Sequence, residues 1–325
     1  MPQRSVPDIF YRVELKNGLP TVSVIIPTHS RPHLLPKAVE SARAAGSAVE
    51  IVVVDDASTD ETASVCQSLP GIKYIRLERN QGVAGARNVG IFESSGKYVA
   101  FLDDDDLRLP GSLDVQVEAL EANPQAGFGC GAMLMADQDY HATGEVVAPR
   151  HSGGDVFWEL LELDFPVIPL ATLIRKECFL RVGLLNTRLI GIDDWDIFVR
   201  IAELYPIIIN EQPVGIYRQP TASSGQGSSA QAAQLRRAAH HQLQLLRLPR
   251  SMAAPAGKRR AIRRSAVNRI ADTLLWNALS LLRSGEYVSV CANILGALRL
   301  SPLRAARPGA YKKLAARMLA KGKAP

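Results

Sequence analysis

Gly96–Asp106 reads GKYVAFLDDDD, a short apolar run that ends in four consecutive aspartates. The apolar part, Tyr98–Asp103, has the length of a strand. Working outward, similar runs stand at Val22–Ile26 (VSVII, ended by Pro27), Glu50–Asp56 (EIVVVDD), Ile72–Leu77 and Phe128–Met135. Between them lie segments with helical spacing. These are Pro32–Ala45, a short helix capped by Ser58 or Asp60 and running through Leu69, Val83–Glu93, and Pro110–Ala122 with proline in the first turn. Short apolar strands alternating with helices predict an α/β fold with a mainly parallel sheet covered on both faces.

In an open α/β sheet, ligands bind beyond the carboxyl ends of the strands. Three sequences fall there: Pro27-Thr28-His29-Ser30-Arg31, Asp55-Asp56-Ala57-Ser58 and Asp103-Asp104-Asp105-Asp106. Four adjacent carboxylates raise one another's pKa values unless a cation compensates. A hard divalent ion with oxygen ligands, Mg²⁺ or Mn²⁺, is the economical solution. The plainer reading is that they are turn and capping acids ahead of Leu107-Arg108-Leu109-Pro110. Other phosphate or nucleophile signatures are missing from the sequence. There is no GxGxxG after the first strand, no GxxxxGK[ST] loop and no GxSxG, and no cysteine has a motif-like histidine partner.

The 325 residues are 47% hydrophobic and 22% charged, which excludes a disordered chain. No window approaches 18 uninterrupted apolar residues, so no transmembrane helix is expected. MPQRSVPDIFYR lacks an apolar h-region, so no secretory signal is expected, and the cytoplasm is the default compartment. The four cysteines are widely spaced, as in neither a disulfide framework nor a zinc site. The net charge of +6 is uneven. Residues 226–325 carry 19 Lys/Arg against two acids, and residues 1–225 carry 19 against 30. An acidic body and a basic tail imply two parts with different partners.

Residues 136–225 are less regular, with a strand-rich stretch at Tyr205–Ile216. Thr221–Ala233 (TASSGQGSSAQAA) reads as a linker, and the chain is helical in pattern from Gln234. Ala271–Pro302 reads as one helical hairpin, similar to a single tetratricopeptide-type unit. The expected division is a 1–20 extension, a 21–225 α/β domain and a basic helical 234–325 region. That domain divides into halves at 21–125 and 126–225. The basic region has three readings: a solvated appendage, a membrane-surface element or a nucleic-acid site. Lys258–Arg264 (KRRAIRR) lacks interleaved aromatics, which disfavours nucleic acid. Amphipathic spacing with this charge favours contact with anionic lipid headgroups at a membrane surface.

VSVIIPTHSR, EIVVVDDASTDET, NQGVAGARNVGI, GKYVAFLDDDD and GIDDWDIFVR resemble, in order and spacing, the family 2 inverting glycosyltransferases with the Rossmann-like A-type nucleotide-sugar fold. The resemblance covers about residues 20–220 and implies that 21–225 is catalytic, with a nucleotide-sugar half at 21–125 and an acceptor half at 126–225. It implies that Pro27, Thr28 and Arg31 line the nucleotide site, and that Asp56 accepts a hydrogen bond from a uracil ring, supported by Asp55. Arg87 would lie near the base and diphosphate. Asp103-Asp104-Asp105 covers the DxD signature, with Asp105 and Asp103 toward the metal and Asp103 or Asp104 toward the ribose. Asp193-Asp194 matches the acidic pair ahead of an acceptor-site helix, with Asp194, six residues before Arg200, as general base. From the residues alone, Asp193–Asp196 also reads as a charged helix start.

Two features depart from the pattern. Many members carry a histidine shortly after a Tyr-Arg pair, whereas Gln219 and Pro220 follow Tyr217-Arg218 here, leaving diphosphate contact to Arg218, Ser223 or Ser224. His29 stands where many members have Tyr or Asn. Trp158 and Trp195 are candidates for sugar stacking, with core or helix packing the favoured reading of each. The resemblance implies a nucleotide-sugar donor, a UDP-sugar first, and a glycan or lipid-linked acceptor. Two rival readings remain: a nucleotide-sugar-binding scaffold without catalysis, and a sugar nucleotidyltransferase. The latter expects a Gly-rich turn where PTHSRP stands.

Overall fold

The computed structural model describes residues 9–10, 21–162, 167–189, 191–219, 233, 236, 242–283 and 285–305. The chain divides into two compact units. The first comprises Met1–Val156, Phe165–Arg188 and Asp193–Gln219; the second comprises Phe157–Asp164, Leu189–Ile192 and Pro220–Pro325.

The first unit is a mixed α/β layer structure. Its strands are β1 (Ile9–Phe10), β2 (Val22–Thr28), β3 (Val49–Asp55), β4 (Ile72–Arg76), β5 (Tyr98–Phe101), β6 (Leu107–Arg108), β7 (Phe128–Ala136), β8 (Ala142–Val147), β9 (Thr172–Arg175) and β10 (Ile207–Arg218). They form one sheet in the order β1-β4-β3-β2-β5-β9-β7-β10-β6, with β8 paired to β7. β4, β3, β2, β5, β7 and β10 point one way, while β1, β9, β6 and β8 run against them. The sheet is thus mixed and mainly parallel, as the alternation of elements predicts. The short antiparallel strands β6 and β9 carry no periodicity of their own and escape a reading of the sequence.

β2 and β3 are buried almost throughout because helices cover both faces of the sheet; Val24, Ile25, Ile26, Val52, Val53 and Val54 are fully buried. Each contributes roughly 1.5–3 kcal/mol by leaving water. The flanking helices are α1 (Leu35–Ala44), α2 (Thr62–Ser68), α3 (Gly82–Glu93), α4 (Ser112–Glu121), α6 (Glu177–Val182) and α7 (Asp193–Leu204), with α5 (Phe157–Leu161) belonging to the second unit. Gly90 lets α3 approach β2, since a Cβ there would lie 2.3 Å from Ile25 Cγ2.

Several boundaries shift from those expected, and three of the shifts have a plain local cause. β2 does not end at Pro27 but runs on to Thr28, with Pro27 opposite Val54. Ile25 accepts a hydrogen bond from Leu102, so Pro27, on the same side, faces β5 where that strand has already ended at Phe101. A residue without N–H is tolerated there. α1 starts at Leu35 rather than Pro32, with Pro36 in its first turn, where a missing N–H costs no helical hydrogen bond. α4 starts at Ser112, after Gly111 in a left-handed conformation.

The second unit is helical. A 3₁₀ turn at Leu243–Arg247 leads to α8 (Pro249–Ala253), α9 (Ala256–Arg283), α10 (Tyr287–Leu300) and α11 (Pro302–Ala305). Gly285, at φ +75°, makes the tight connection between α9 and α10. Ala271, Leu274, Leu275, Ala297 and Ala305 form one buried cluster, and Ala278, Leu281 and Val290 a second. This is the hairpin expected over Ala271–Pro302. The linker residues 221–232, with Ser223 and Ser224, and the helical pattern over 310–320 lie outside the described residues. Among the described residues, no helix is long and apolar enough to cross a membrane.

Candidate active site

The carboxyl ends of β2, β3 and β5 bring their loops together, and the acidic residues there are sorted by their partners. Asp55 is fully buried and accepts hydrogen bonds from Ser58 N (2.8 Å) and the Tyr74 hydroxyl (2.8 Å). It holds the turn, as expected. Asp56 accepts from the backbone N–H groups of Gln81 (2.7 Å) and Gly82 (2.8 Å) at the start of α3. A carboxylate from a neighbouring strand thus occupies this helix N-terminus. Each oxygen of Asp56 retains a second lone pair. His29 Nδ1 lies 2.8 Å from the Asp56 carbonyl, an ordinary polar contact.

The four aspartates after β5 point in different directions. Asp104 turns inward, accepting from Thr28 Oγ1 (2.7 Å) and Arg31 Nη1 (3.0 Å). The same Arg31 nitrogen reaches Asp105 Oδ2 at 3.0 Å. Burial opposes the charge on Arg31, and Asp104 and Asp105 restore and raise it. Burial pushes the Asp104 carboxyl up to about 6 despite these partners. Burial and then the neighbouring Asp103 raise Asp105, and raise Asp106 further. Carboxylate oxygens of Asp103, Asp105 and Asp106 lie within 4.8 Å of one another. Three hard oxygen donors whose joint ionisation is costly fit a hard divalent cation. Asp106 was not singled out in the sequence, where only its place as the fourth aspartate marks it. Its Oδ1 accepts from Arg218 N at 2.9 Å, which ties the end of β10 to the acidic loop.

Arg218 itself does not reach into the crevice. Its Nε donates to the Gln138 carbonyl (2.6 Å) and its guanidinium lies 5.4 Å from the Tyr140 ring. Tyr140, in the β7–β8 connection, has φ +68° and donates its hydroxyl to the Asp105 carbonyl at 3.1 Å. Lys37 Nζ lies 4.9 Å from the same ring. Nothing in the sequence marks Tyr140. Among the described residues, the non-glycine positive φ values fall at Ser30, Ala57 and Tyr140, all in the loops around this crevice. Left-handed backbone costs a non-glycine residue about 1 kcal/mol or more and collects at functional loops.

Arg87 is buried and spans acidic groups of the β5 loop and of α7. Its Nη2 lies 2.6 Å from Asp103 Oδ1 and its Nη1 3.5 Å from Asp193 Oδ2. Burial works against its charge, and Asp103, Asp193 and Asp194 together more than offset that. Asp193 and Asp194 open α7, where Asp194 Oδ1 accepts from Trp195 N at 2.7 Å. Burial, then Asp193, push Asp194 up to about 6, while Arg87 holds it down. Arg200 is not directed at Asp194. It binds Asp196 Oδ2 (2.6 and 2.9 Å) and the Val182 and Leu184 carbonyls, fastening α6 to α7. In the second unit, Trp158 lies 4.8 Å from Phe157 and beneath Lys258 Nζ at 3.9 Å, a packing role.

Residues 23–148 match the family model described as glycosyl transferase family 2. An uncharacterized glycosyltransferase of Haemophilus influenzae is 30% identical over 197 residues, covering 58% of this chain and 66% of that protein. The GalNAc(5)-diNAcBac-PP-undecaprenol β-1,3-glucosyltransferase of Campylobacter jejuni is 43% identical over 118 residues, 34% of this chain and 38% of its own. The match thus spans less than two thirds of the length of these relatives. Two solved structures share the fold. S. aureus TarS 1–349 in complex with UDP-GlcNAc has a TM-score of 0.52 at 16% identity, over 86% of this chain and 91% of that one. The mannosyltransferase PcManGT of Pyrobaculum calidifontis, in complex with GDP-Man and Mn²⁺, has a TM-score of 0.54 at 20% identity, over 99% and 83%.

Proposed function

We propose, for a chain that carries a family 2 glycosyltransferase domain at residues 23–148, that it transfers a sugar from a nucleotide sugar to an acceptor hydroxyl with inversion. The reading rests on one observation above others: Arg87 holds Asp103 and Asp193 on either side of a single guanidinium. A cation-seeking cluster and a base-bearing helix start therefore share one crevice within the first unit.

Asp103, Asp105 and Asp106 would hold Mg²⁺ or Mn²⁺. When bound, the metal supplies charge neutralisation for the leaving diphosphate. Thr28 and Arg31 fix Asp104 beneath the donor loop, and Arg31 shares its charge with Asp105. Asp56 keeps lone pairs for an N–H of the nucleotide base while its other contacts lock its orientation. Asp194 takes the proton of the acceptor hydroxyl as that oxygen bonds to the anomeric carbon and the carbon–oxygen bond to the diphosphate breaks. With a pKa near 6 it is ionised at neutral pH and basic enough to accept the proton. Asp193, paired with Arg87, keeps α7 oriented.

A UDP-sugar is the first donor to test, and TarS, which shares the fold, was solved with UDP-GlcNAc. A lipid-linked glycan is the acceptor class to test, as the name of the Campylobacter relative suggests. The catalytic region is taken as residues 21–225, and the basic helices from 234 as an accessory that works at the inner face of the membrane. The test is release of nucleoside diphosphate from a panel of nucleotide sugars with glycan and polyprenyl-diphosphate acceptors, with the product anomer read by NMR. Acceptor-dependent turnover with an inverted anomer, lost in Asp194→Asn, supports the reading. Retention of configuration, or full turnover in the variant, removes it.

A further inference from the structure

We infer that an arginine-lined groove in the helical second unit seats the phosphate headgroups of an anionic bilayer. The groove lies between the 3₁₀ turn, α8 and the start of α9, with a volume of about 790 Å³. Arg247, Arg259, Arg260 and Arg263 line it together with Leu246 and Met252. From 242 to 283 the sequence has nine Lys/Arg and one acid. None of these four guanidinium groups has an ion-pair, hydrogen-bond or ring partner among the described residues. Several other cations of this unit are engaged. Arg304 pairs with Asp272, Arg236 donates to Asn293, Lys258 lies over Trp158, and Arg250 lies over Phe157.

Four like charges around one hollow repel each other, and a phosphate relieves that repulsion with charge-assisted hydrogen bonds. The groove's size suits a small ligand, within the roughly 300–1,000 Å³ of common sites. A free phosphate gains nothing from Leu246 or from Met252, which is half exposed. A lipid gains from both, because its glycerol and upper acyl carbons lie next to the phosphate. A nucleic acid would want aromatic platforms, and none lines the groove. This inference rests on the reading that sets the basic helices at a membrane and does not depend on glycosyl transfer, which nucleotide binding tests separately.

The test is vesicle flotation of the full chain with phosphatidylcholine alone or mixed with phosphatidylglycerol. Binding to the mixed vesicles alone is expected. Arg260→Gln/Arg263→Gln should weaken it by roughly fivefold per arginine, about 25-fold in all. Arg264→Gln/Arg299→Gln removes the same charge outside the groove and should weaken it much less. Met252→Glu should also reduce binding, with nucleotide binding and the melting temperature unchanged in each variant. Equal binding to both vesicle types would overturn the inference. So would equal losses in the two arginine pairs, displacement by soluble glycerol phosphate at vesicle-equivalent concentration, or selective binding of single-stranded nucleic acid in place of vesicles.

Discussion

Arg87, itself almost fully buried, holds its Nη2 2.6 Å from Oδ1 of the partly exposed Asp103, and its other terminal nitrogen faces buried Asp193 at 3.5 Å. One guanidinium therefore sets the spacing between the acidic loop after β5 and the start of α7. The sequence resemblance places Arg87 near the nucleotide base and diphosphate. Its contacts make it a brace between carboxylates, so its influence on a donor passes through Asp103.

Replacing Arg87 with methionine removes the cation that faces buried Asp193 and partly exposed Asp103; a broken buried pair costs about 3–5 kcal/mol, and the exposure of Asp103 puts the loss toward the low end. Urea denaturation should register a loss of that order. Arg87→Lys should recover much of the stability but little of the activity, because one ammonium cannot serve both carboxylates. A lysine variant with normal turnover would show that the brace is dispensable.

Asp194→Asn should cut turnover by about 10²–10⁴, the typical worth of a positioned base, with donor affinity kept. In the native protein, kcat/KM should fall with a single-proton slope as the pH drops through about 6, where Asp194 takes up a proton. The same shift has a stability consequence. A carboxyl raised in the folded state opposes folding increasingly as pH climbs from its unfolded value near 4 to about 6. The asparagine variant should therefore melt several degrees higher than the native chain at pH 7 and show no such gain at pH 3.5.

The four aspartates should separate by function. Asp106→Asn should weaken metal-dependent nucleotide binding tenfold or more, although the sequence gives it no special standing. Asp104→Asn should act through Thr28 and Arg31, lowering donor affinity while the dependence on metal persists. Calorimetric titrations of nucleotide with and without Mn²⁺ distinguish the two.

Tyr140→Phe removes one hydrogen bond to the Asp105 carbonyl and leaves the ring between Lys37 and Arg218. The expected cost is about 1 kcal/mol in donor affinity, a rise in KM of about fivefold with kcat little changed. Tyr140→Gly relieves the positive φ but loses both the hydroxyl and the ring, so it should be worse for binding than phenylalanine.

Much of this arrangement was legible in the sequence for physical reasons. VSVII, EIVVVDD and YVAFLD form strands because a sheet covered on both faces needs uninterrupted apolar runs, and such runs are visible without neighbours. Their ends named the crevice. What escaped depends on turn geometry and long-range partners. Nothing local separates Asp104 from Asp105 and Asp106 in a string of identical residues; only the folded loop turns one toward Thr28. Asp56 gives no sign that α3 will begin against it, 25 residues on. Tyr140 is an ordinary residue in a connection until the β7–β8 hairpin carries it to Asp105. Arg200 belongs to a motif, yet its charge is spent on Asp196 and two carbonyls.

The most direct test of the central claim is calorimetric titration of the full chain with UDP, GDP, dTDP and CDP, with and without Mn²⁺, alongside Asp105→Asn. The account predicts that UDP binds tightly only with Mn²⁺ and that Asp105→Asn abolishes the metal dependence. Nucleotide binding that ignores both the metal and Asp105, or no nucleotide binding by folded protein, would contradict it.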